Sequence, residues 1–420
     1  MFGVGCAHPK HPICPHIMKY GWIVVAVSFI TIAVAFGVRL SFTVFFVALI
    51  DEFGWPRGDT AFIFSVSMVV FALTSTSAGM ALDRWGVRRT FALGGLVLAG
   101  GLFLSSQIES FWQLVLAYGV IASLGITILG LGPQAALIAR WFRRQRGLAI
   151  GIAFSGTGIG TLLLTPGVEA LIGAQGWRTA YLALAGLCLA IVPLNYFLLR
   201  FNRPDLQVRP VECAQATARP PELNWRLRAV VRSPAFWMLL LVSIGAIGPV
   251  RMLTVHQLAV IEDAGYARSF AARAIGLSGA VTALAFILWG ALSDRIDRRF
   301  VYILGSFSLL FAIAILDRLP GPISGPHWVG AYAVLLGIGE GSRASLVTSI
   351  ASDLFPGDAL GAVNGAMGAA FGLGAAVFPW LAGLLFDRQG TYSAVFAAAG
   401  AAVILSAGLL FLAPRVRAIT

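Results

Sequence analysis

Gly79-Met80-Ala81-Leu82-Asp83-Arg84-Trp85-Gly86-Val87-Arg88-Arg89 is a charged run inside an apolar sequence. It recurs 211 residues later as Gly290-Ala291-Leu292-Ser293-Asp294-Arg295-Ile296-Asp297-Arg298-Arg299. Gly54 and Gly265 keep the same offset, and the second copy is degenerate, with Asp297 at the place of Gly86. A long-period repeat of this kind implies two homologous halves. In a membrane chain such halves suit alternating access, with a site between them near the bilayer midplane.

The repeat extends outward from that run. Trp141-Phe142-Arg143-Arg144-Gln145-Arg146-Gly147, running on to Gly151, corresponds to Leu354-Phe355-Pro356-Gly357 through Gly365, and the pairs Pro166/Pro379 and Gly176/Gly390 follow. Residues 200–232, rich in Pro and Arg, read as the linker between the halves.

Composition sets the class. The 420 residues are 58% hydrophobic and 11% charged, with mean hydropathy +0.86, whereas soluble domains carry about 25% charged residues. Apolar segments long enough to span a bilayer are expected at 21–50, 59–82, 90–107, 111–139, 147–172, 178–199, 234–262, 270–292, 300–317, 328–352, 360–386 and 391–413. The expected fold is an all-α membrane protein of twelve transmembrane helices in two pseudo-symmetric six-helix bundles. The expected divisions are a cytoplasmic tail 1–19, bundles 20–199 and 233–414, the linker 200–232 and a tail 415–420.

The net charge of +12 reports topology. Lys10, Lys19, Arg84, Arg88, Arg89, Arg140, Arg143, Arg144, Arg146, the linker arginines, Arg295–Arg299, Arg415 and Arg417 fall in turns of one face when twelve helices alternate. By the positive-inside rule that face is cytoplasmic and both termini point inward. No nucleic-acid partner is expected. In the N-terminal tail Cys6, Cys14, His8, His11 and His16 have metal-ligand types but match no regular finger spacing. The tail reads as disordered, or as lying upstream of a start at Met18, and no metal or cofactor is assigned.

With these residues in view, Gly-x3-Asp-Arg-x-Gly-x-Arg-Arg resembles the signature loop of the major facilitator superfamily, and the degenerate copy lies where that family has its second. The resemblance covers nearly the whole chain. It implies that Asp83, Arg84, Arg88, Asp294 and Arg295 are conformational latch residues. Gly21-Trp22-Ile23-Val24 and the Trp141–Gly160 stretch are similar to the monocarboxylate porters and the oxalate/formate antiporter relatives. One departure stands out, because the porters' intramembrane Asp and Arg pair falls on Thr282 and Phe286.

Charges that lipid would reject mark the site. Arg39, Arg251 and Arg343 remain once loop cations are set aside, and Arg39 lies 15 residues before Gly54 while Arg251 lies 14 before Gly265. The two are expected at one depth on either side of a central cavity. Glu340 reads as the only carboxylate well inside a span, three residues from Arg343 and on the same helix face. The two read either as an internal salt bridge or as a functional pair in which Arg343, with Arg39 and Arg251, holds the anion and Glu340 serves charge balance or proton coupling. His256 is expected nearer the exterior, as a proton-sensitive gate or a packing histidine. Gln134, Ser155, Thr157 and Asn364 offer hydrogen bonds, and Phe36, Phe42, Phe45, Phe154, Phe371 and Phe378 read as apolar wall or as helix packing.

Three arginines against one glutamate favour a bound anion. The expected function is a secondary active transporter, monomeric, in the inner or plasma membrane. Its cargo is a small organic anion, a monocarboxylate or related carboxylate, moved with a co-transported or exchanged proton. The alternatives are a carrier or exporter of a larger planar metabolite or vitamin, and a membrane enzyme or sensor. No nucleophile, base or metal cluster lies together at membrane depth, so no enzyme is expected.

Overall fold

An unpaired backbone N–H or C=O costs several kcal/mol in hydrocarbon, so a chain this apolar satisfies its backbone within helices. The structure is a computed structural model that describes residues 15–142, 146–199, 227–293, 295–319, 325–355 and 360–412. Among the described residues every regular element is helical. Cys6, His8, His11, Cys14, residues 200–226, Asp294 and residues 415–420 lie outside the described residues, as do the side chains of His16, Asp83 and Asn364.

The chain runs through α1 (Pro15–Leu40), α2 (Phe42–Phe53) and α3 (Arg57–Ser106). It continues with α4 (Phe111–Leu114), a π-helical stretch Val115–Ala122 and α5 (Ser123–Ile128). Then come α6 (Leu131–Trp141), α7 (Arg146–Leu198) and α8 (Leu227–Arg232). The C-terminal portion contains α9 (Pro234–Asp263), α10 (Arg268–Ser293), α11 (Arg298–Arg318), α12 (Pro326–Gly341), α13 (Ala344–Leu354), α14 (Leu360–Gln389) and α15 (Ser393–Leu412). Ten segments among the described residues are long and apolar enough to cross a membrane.

Besides 111–139, which breaks at Leu129 and Gly130 between α5 and α6, two expected spans are interrupted. The stretch 21–50 breaks at Ser41, whose hydroxyl donates to the Gly37 carbonyl at 2.8 Å between α1 and α2. The stretch 328–352 breaks at Ser342 and Arg343, between α12 and α13. Both breaks fall beside candidate arginines.

The turns repeat the register read from sequence. Gly54 (φ 64) and Gly265 (φ 88) share the left-handed region, as do Gly176 (φ 83) and Gly390 (φ 69). A Cβ is disfavoured there, which accounts for glycine at each matched turn. Gly86 (φ 76) kinks α3 at the charged run.

Residues 15–199 and 227–412 pack on each other through α3 with α14, α7 with α10, and α2 with α9. Small residues bring the backbones close. A Cβ on Gly279 would lie 2.7 Å from the Gly158 carbonyl oxygen, and one on Gly383 would lie 2.5 Å from Gly58 Cα. The apolar core draws on both portions, from Val24 to Val403. Leu73, Trp112, Phe197, Leu288 and Leu412 are 67% to 74% exposed, an apolar perimeter suited to lipid rather than water.

Candidate functional site

The break after α1 leaves Arg39 in the last helical turn, 5% exposed. Its guanidinium lies 4.7 Å from the Phe71 ring centroid and 5.5 Å from that of Phe36. Nε and Nη2 are buried with no hydrogen-bond partner. Tyr118 donates its hydroxyl proton to the Arg39 carbonyl at 3.4 Å, which fixes the backbone, and among the described residues the side chain has no counter-ion.

Arg251 lies in α9, within electrostatic reach of Arg39. It is ion-paired with Glu340, near the end of α12. Both side chains keep some exposure, 19% and 15%. The structure therefore brings Arg39, Arg251 and Glu340 together, and it pairs Glu340 differently from the expectation. Arg343 is not its partner, because α12 ends at Gly341 and the turn through Ser342 and Arg343 sends the arginine elsewhere. Arg343 is fully buried, with Nη1 donating to Ser306 Oγ at 3.1 Å and Nη2 to the Gly305 carbonyl at 3.3 Å. Its guanidinium covers the Tyr302 ring at 4.7 Å. It is packed into α11, apart from the other two arginines.

The remaining candidates are dispersed. Gln134 is fully buried, with Nε2 donating to the Leu129 carbonyl at 3.4 Å and Oε1 unpartnered. Ser155 and Thr157 donate to carbonyls of their own helix, at Ile152 and Phe154. Phe36 touches Arg39, whereas Phe371 packs against the cluster around Phe355 and Met367. Phe42 and Phe45, expected as wall, are each 1% exposed, Phe42 stacking on Tyr118 and Phe45 on Tyr181. They are helix packing, as the alternative reading had it.

His256 is buried, 1% exposed, between the Tyr392 hydroxyl at Nδ1 (3.0 Å) and the Pro379 carbonyl at Nε2 (2.9 Å). A carbonyl only accepts, so Nε2 carries the proton and Nδ1 accepts from Tyr392. Burial pushes the pKa of the Tyr392 hydroxyl above the ordinary phenol value, so it keeps its proton and stays a donor. Tyr392 in turn accepts from Arg57 Nη1 at 3.1 Å.

Arg57 begins α3 and joins residues far apart in sequence. It donates to Asp263 through Nη1 (2.7 Å) and Nη2 (2.9 Å), and stacks on Phe386 at 4.0 Å. The Asp387 carboxylate accepts from the backbone N–H groups of Arg57 (3.0 Å) and Gly58 (2.7 Å). It thus caps the positive end of α3. Arg268 bridges Asp51 (2.6 Å) and Glu262 (2.7 Å). This clasp around Gly54 and Gly265 was not singled out from sequence, since its members looked like ordinary turn charges.

At the opposite end Arg88 donates to the Leu199 carbonyl at 2.9 Å, and Arg298 pairs with Asp353 at 2.6 Å. Arg84 and Arg295 are exposed. The Asp83 side chain and Asp294 lie outside the described residues. A cleft of about 460 Å³ opens beside the second charged run, lined by Ser293, Asp297, Arg298 and Asp353 among others.

Sequence reading also missed a second intramembrane carboxylate. Glu169 in α7 is 8% exposed, so Glu340 is not alone.

Comparison with known proteins adds the lineage. The family model described as Major Facilitator Superfamily matches residues 27–316 and 252–419. Human monocarboxylate transporter 11 (Homo sapiens) is 27% identical over 97% of this chain and 85% of its own length. Monocarboxylate transporter 12-B of Danio rerio is 27% identical over 96% and 88%, and monocarboxylate transporter 13 of Bos taurus 26% over 94% and 90%. A solved bacterial homologue of the human lysosomal transporter Spinster, inward-facing and occupied, superposes with a TM-score of 0.72 over 94% of this chain and 97% of its own at 15% identity. That last likeness concerns the fold.

Proposed function

The chain belongs to the major facilitator superfamily, and from that premise we propose that it carries a small organic monoanion, a monocarboxylate or close relative, across a membrane by alternating access. It is a multi-pass membrane protein whose curated relatives are monocarboxylate transporters. The observation that carries the cargo class is the contrast between two arginines in one register. Arg251 is neutralised by Glu340, whereas Arg39 is buried beside aromatic rings with Nε and Nη2 unpartnered. Two cations against one anion leave the site one positive charge, which one carboxylate neutralises and Phe36 and Phe71 suit for an apolar body.

Two six-helix bundles support this motion. The ten apolar segments become twelve when Leu148–Leu198 is divided at Gly176 and α12 with α13 is counted as one broken span. The arginine-bearing turns at Arg84–Arg89 and Arg295–Arg299 favour the cytoplasmic side, which puts the Arg57 clasp outside and makes this an inward-facing arrangement. Glu340 and His256 are the groups for proton coupling, and Arg343 braces α11 against α13.

The test is a thermal-shift and proteoliposome-uptake series with monocarboxylates, dicarboxylates and neutral planar compounds. Arg39→Gln is expected to weaken monocarboxylate binding by about 1.5–2.8 kcal/mol, roughly ten- to a hundredfold. Stabilisation by neutral planar compounds alone, retained in Arg39→Gln, would overturn the assignment.

A further inference from the structure

Glu169 has no role in the site above, yet of the two described acids that keep a buried oxygen without a partner, Glu169 and Asp317, it is the less exposed. It lies one turn beyond Pro166 in α7, 8% exposed, with Oε2 buried and accepting no hydrogen bond. Its place is the seam between the portions. A Cβ on Gly276 of α10 would stand 3.1 Å from both the Leu162 carbonyl oxygen and the Pro166 ring, so α7 and α10 touch one turn below it.

The charges around Glu169 are few. Arg268 of α10 attracts it and Glu262 of α9 repels it. Arg268 is already engaged, with Nε and Nη2 on Glu262 and Nη2 on Asp51 of α2. Arg273, the other cation of that end of α10, is exposed. Three carboxylates thus share one guanidinium, and the one left over is the most deeply buried. A surplus ionised carboxylate with one oxygen buried and unpartnered bears a desolvation cost that a single proton removes.

We propose that Glu169 is a proton-binding site on the seam, occupied while the clasp end is closed and emptied when that end opens to water. The proton comes from bulk water through the opened seam and converts the carboxylate to the neutral acid, which closure then buries. An ionised Glu169 would compete with Asp51 for Arg268 and so loosen a bond that joins the portions. The sign follows: raising pH removes the proton, penalises the closed seam and favours the open one. This gating step rests on the alternating-access reading, whereas the proton site does not.

The experiment uses the full chain in nanodiscs. Infrared spectroscopy at neutral pH should show a carboxylic-acid C=O stretch that disappears in Glu169→Gln and persists, displaced, in Glu169→Asp. Identical spectra for wild type and Glu169→Gln would overturn the site. If Glu169→Gln does not fold, loss of the wild-type band on raising pH, displaced in Glu169→Asp, tests the same point. For the gate, labelling of Thr43→Cys, whose native hydroxyl bonds the Val255 carbonyl across the seam, should rise several-fold with pH and stay low and flat in Glu169→Gln. A pH response unchanged in Glu169→Gln, with the infrared band lost, would overturn the gate and leave the proton site standing.

Discussion

The two ends of the molecule are held differently. Around Gly54 and Gly265 the strong polar contacts cross between residues 15–199 and residues 227–412: Arg57 to Asp263, Asp387 to the start of α3, and Arg268 to Asp51. Around Gly86 the described contacts of Arg88 and Arg298 stay within one portion. A bond that crosses a moving boundary biases a conformational equilibrium, while one inside a rigid body only stabilises that body. Similar charged groups therefore do different work according to which boundary they cross.

Removing the strongest crossing bond should make the ends alike. Arg57→Ala deletes the Asp263 pair, the Tyr392 hydrogen bond and the Phe386 stack. It is expected to shift the equilibrium toward an open clasp by about 2–3 kcal/mol, roughly thirty- to a hundred-and-fortyfold. Spin labels at Glu109→Cys and Thr391→Cys, both exposed at that end, would report it as a longer inter-label distance. An unchanged distance distribution would mean that the clasp holds nothing.

A milder change sharpens the contrast. Asp387→Asn keeps the shape but removes the charge from the α3 N-terminus, and should move the same distance distribution by about 1 kcal/mol, roughly fivefold. The smallest effect belongs to the other end. Arg298→Ala breaks a pair whose carboxylate is 56% exposed and whose members share one portion, so it should cost no more than about 0.5 kcal/mol of stability. Its inter-label distance at the clasp should not change. A large shift there would show that the ends are coupled through the C-terminal helices.

The turns and the cation register were legible because both follow from spacing along the chain. Gly54 and Gly265 both take positive φ, and Arg39 and Arg251 come within electrostatic reach of each other. Pairings were legible only where the helix was continuous. Glu340 and Arg343, three apart, share a face on an unbroken helix, but α12 stops between them and the glutamate turns to Arg251 on another element. Glu169 was passed over because it falls near the end of an apolar run, where sequence cannot distinguish a carboxylate reaching water from one held under a neighbouring helix. The Arg57 clasp was hidden for a related reason, since its partners lie 206 and 330 residues away.

The glycine contacts of the seam have a mechanical consequence. Where Gly158 meets Gly279, and Gly58 meets Gly383, backbone comes against backbone, with Thr161, Ala283 and Leu384 packed beside the contact. Surfaces that mesh like gears must lift every tooth before they part, and each tooth adds to the barrier. Smooth surfaces behave as a bearing: they roll or separate with little friction, so the speed of motion is set by the few charged clips at the rim. On the alternating-access proposal, the glycines set how fast the seam moves and the clasp sets how often it does.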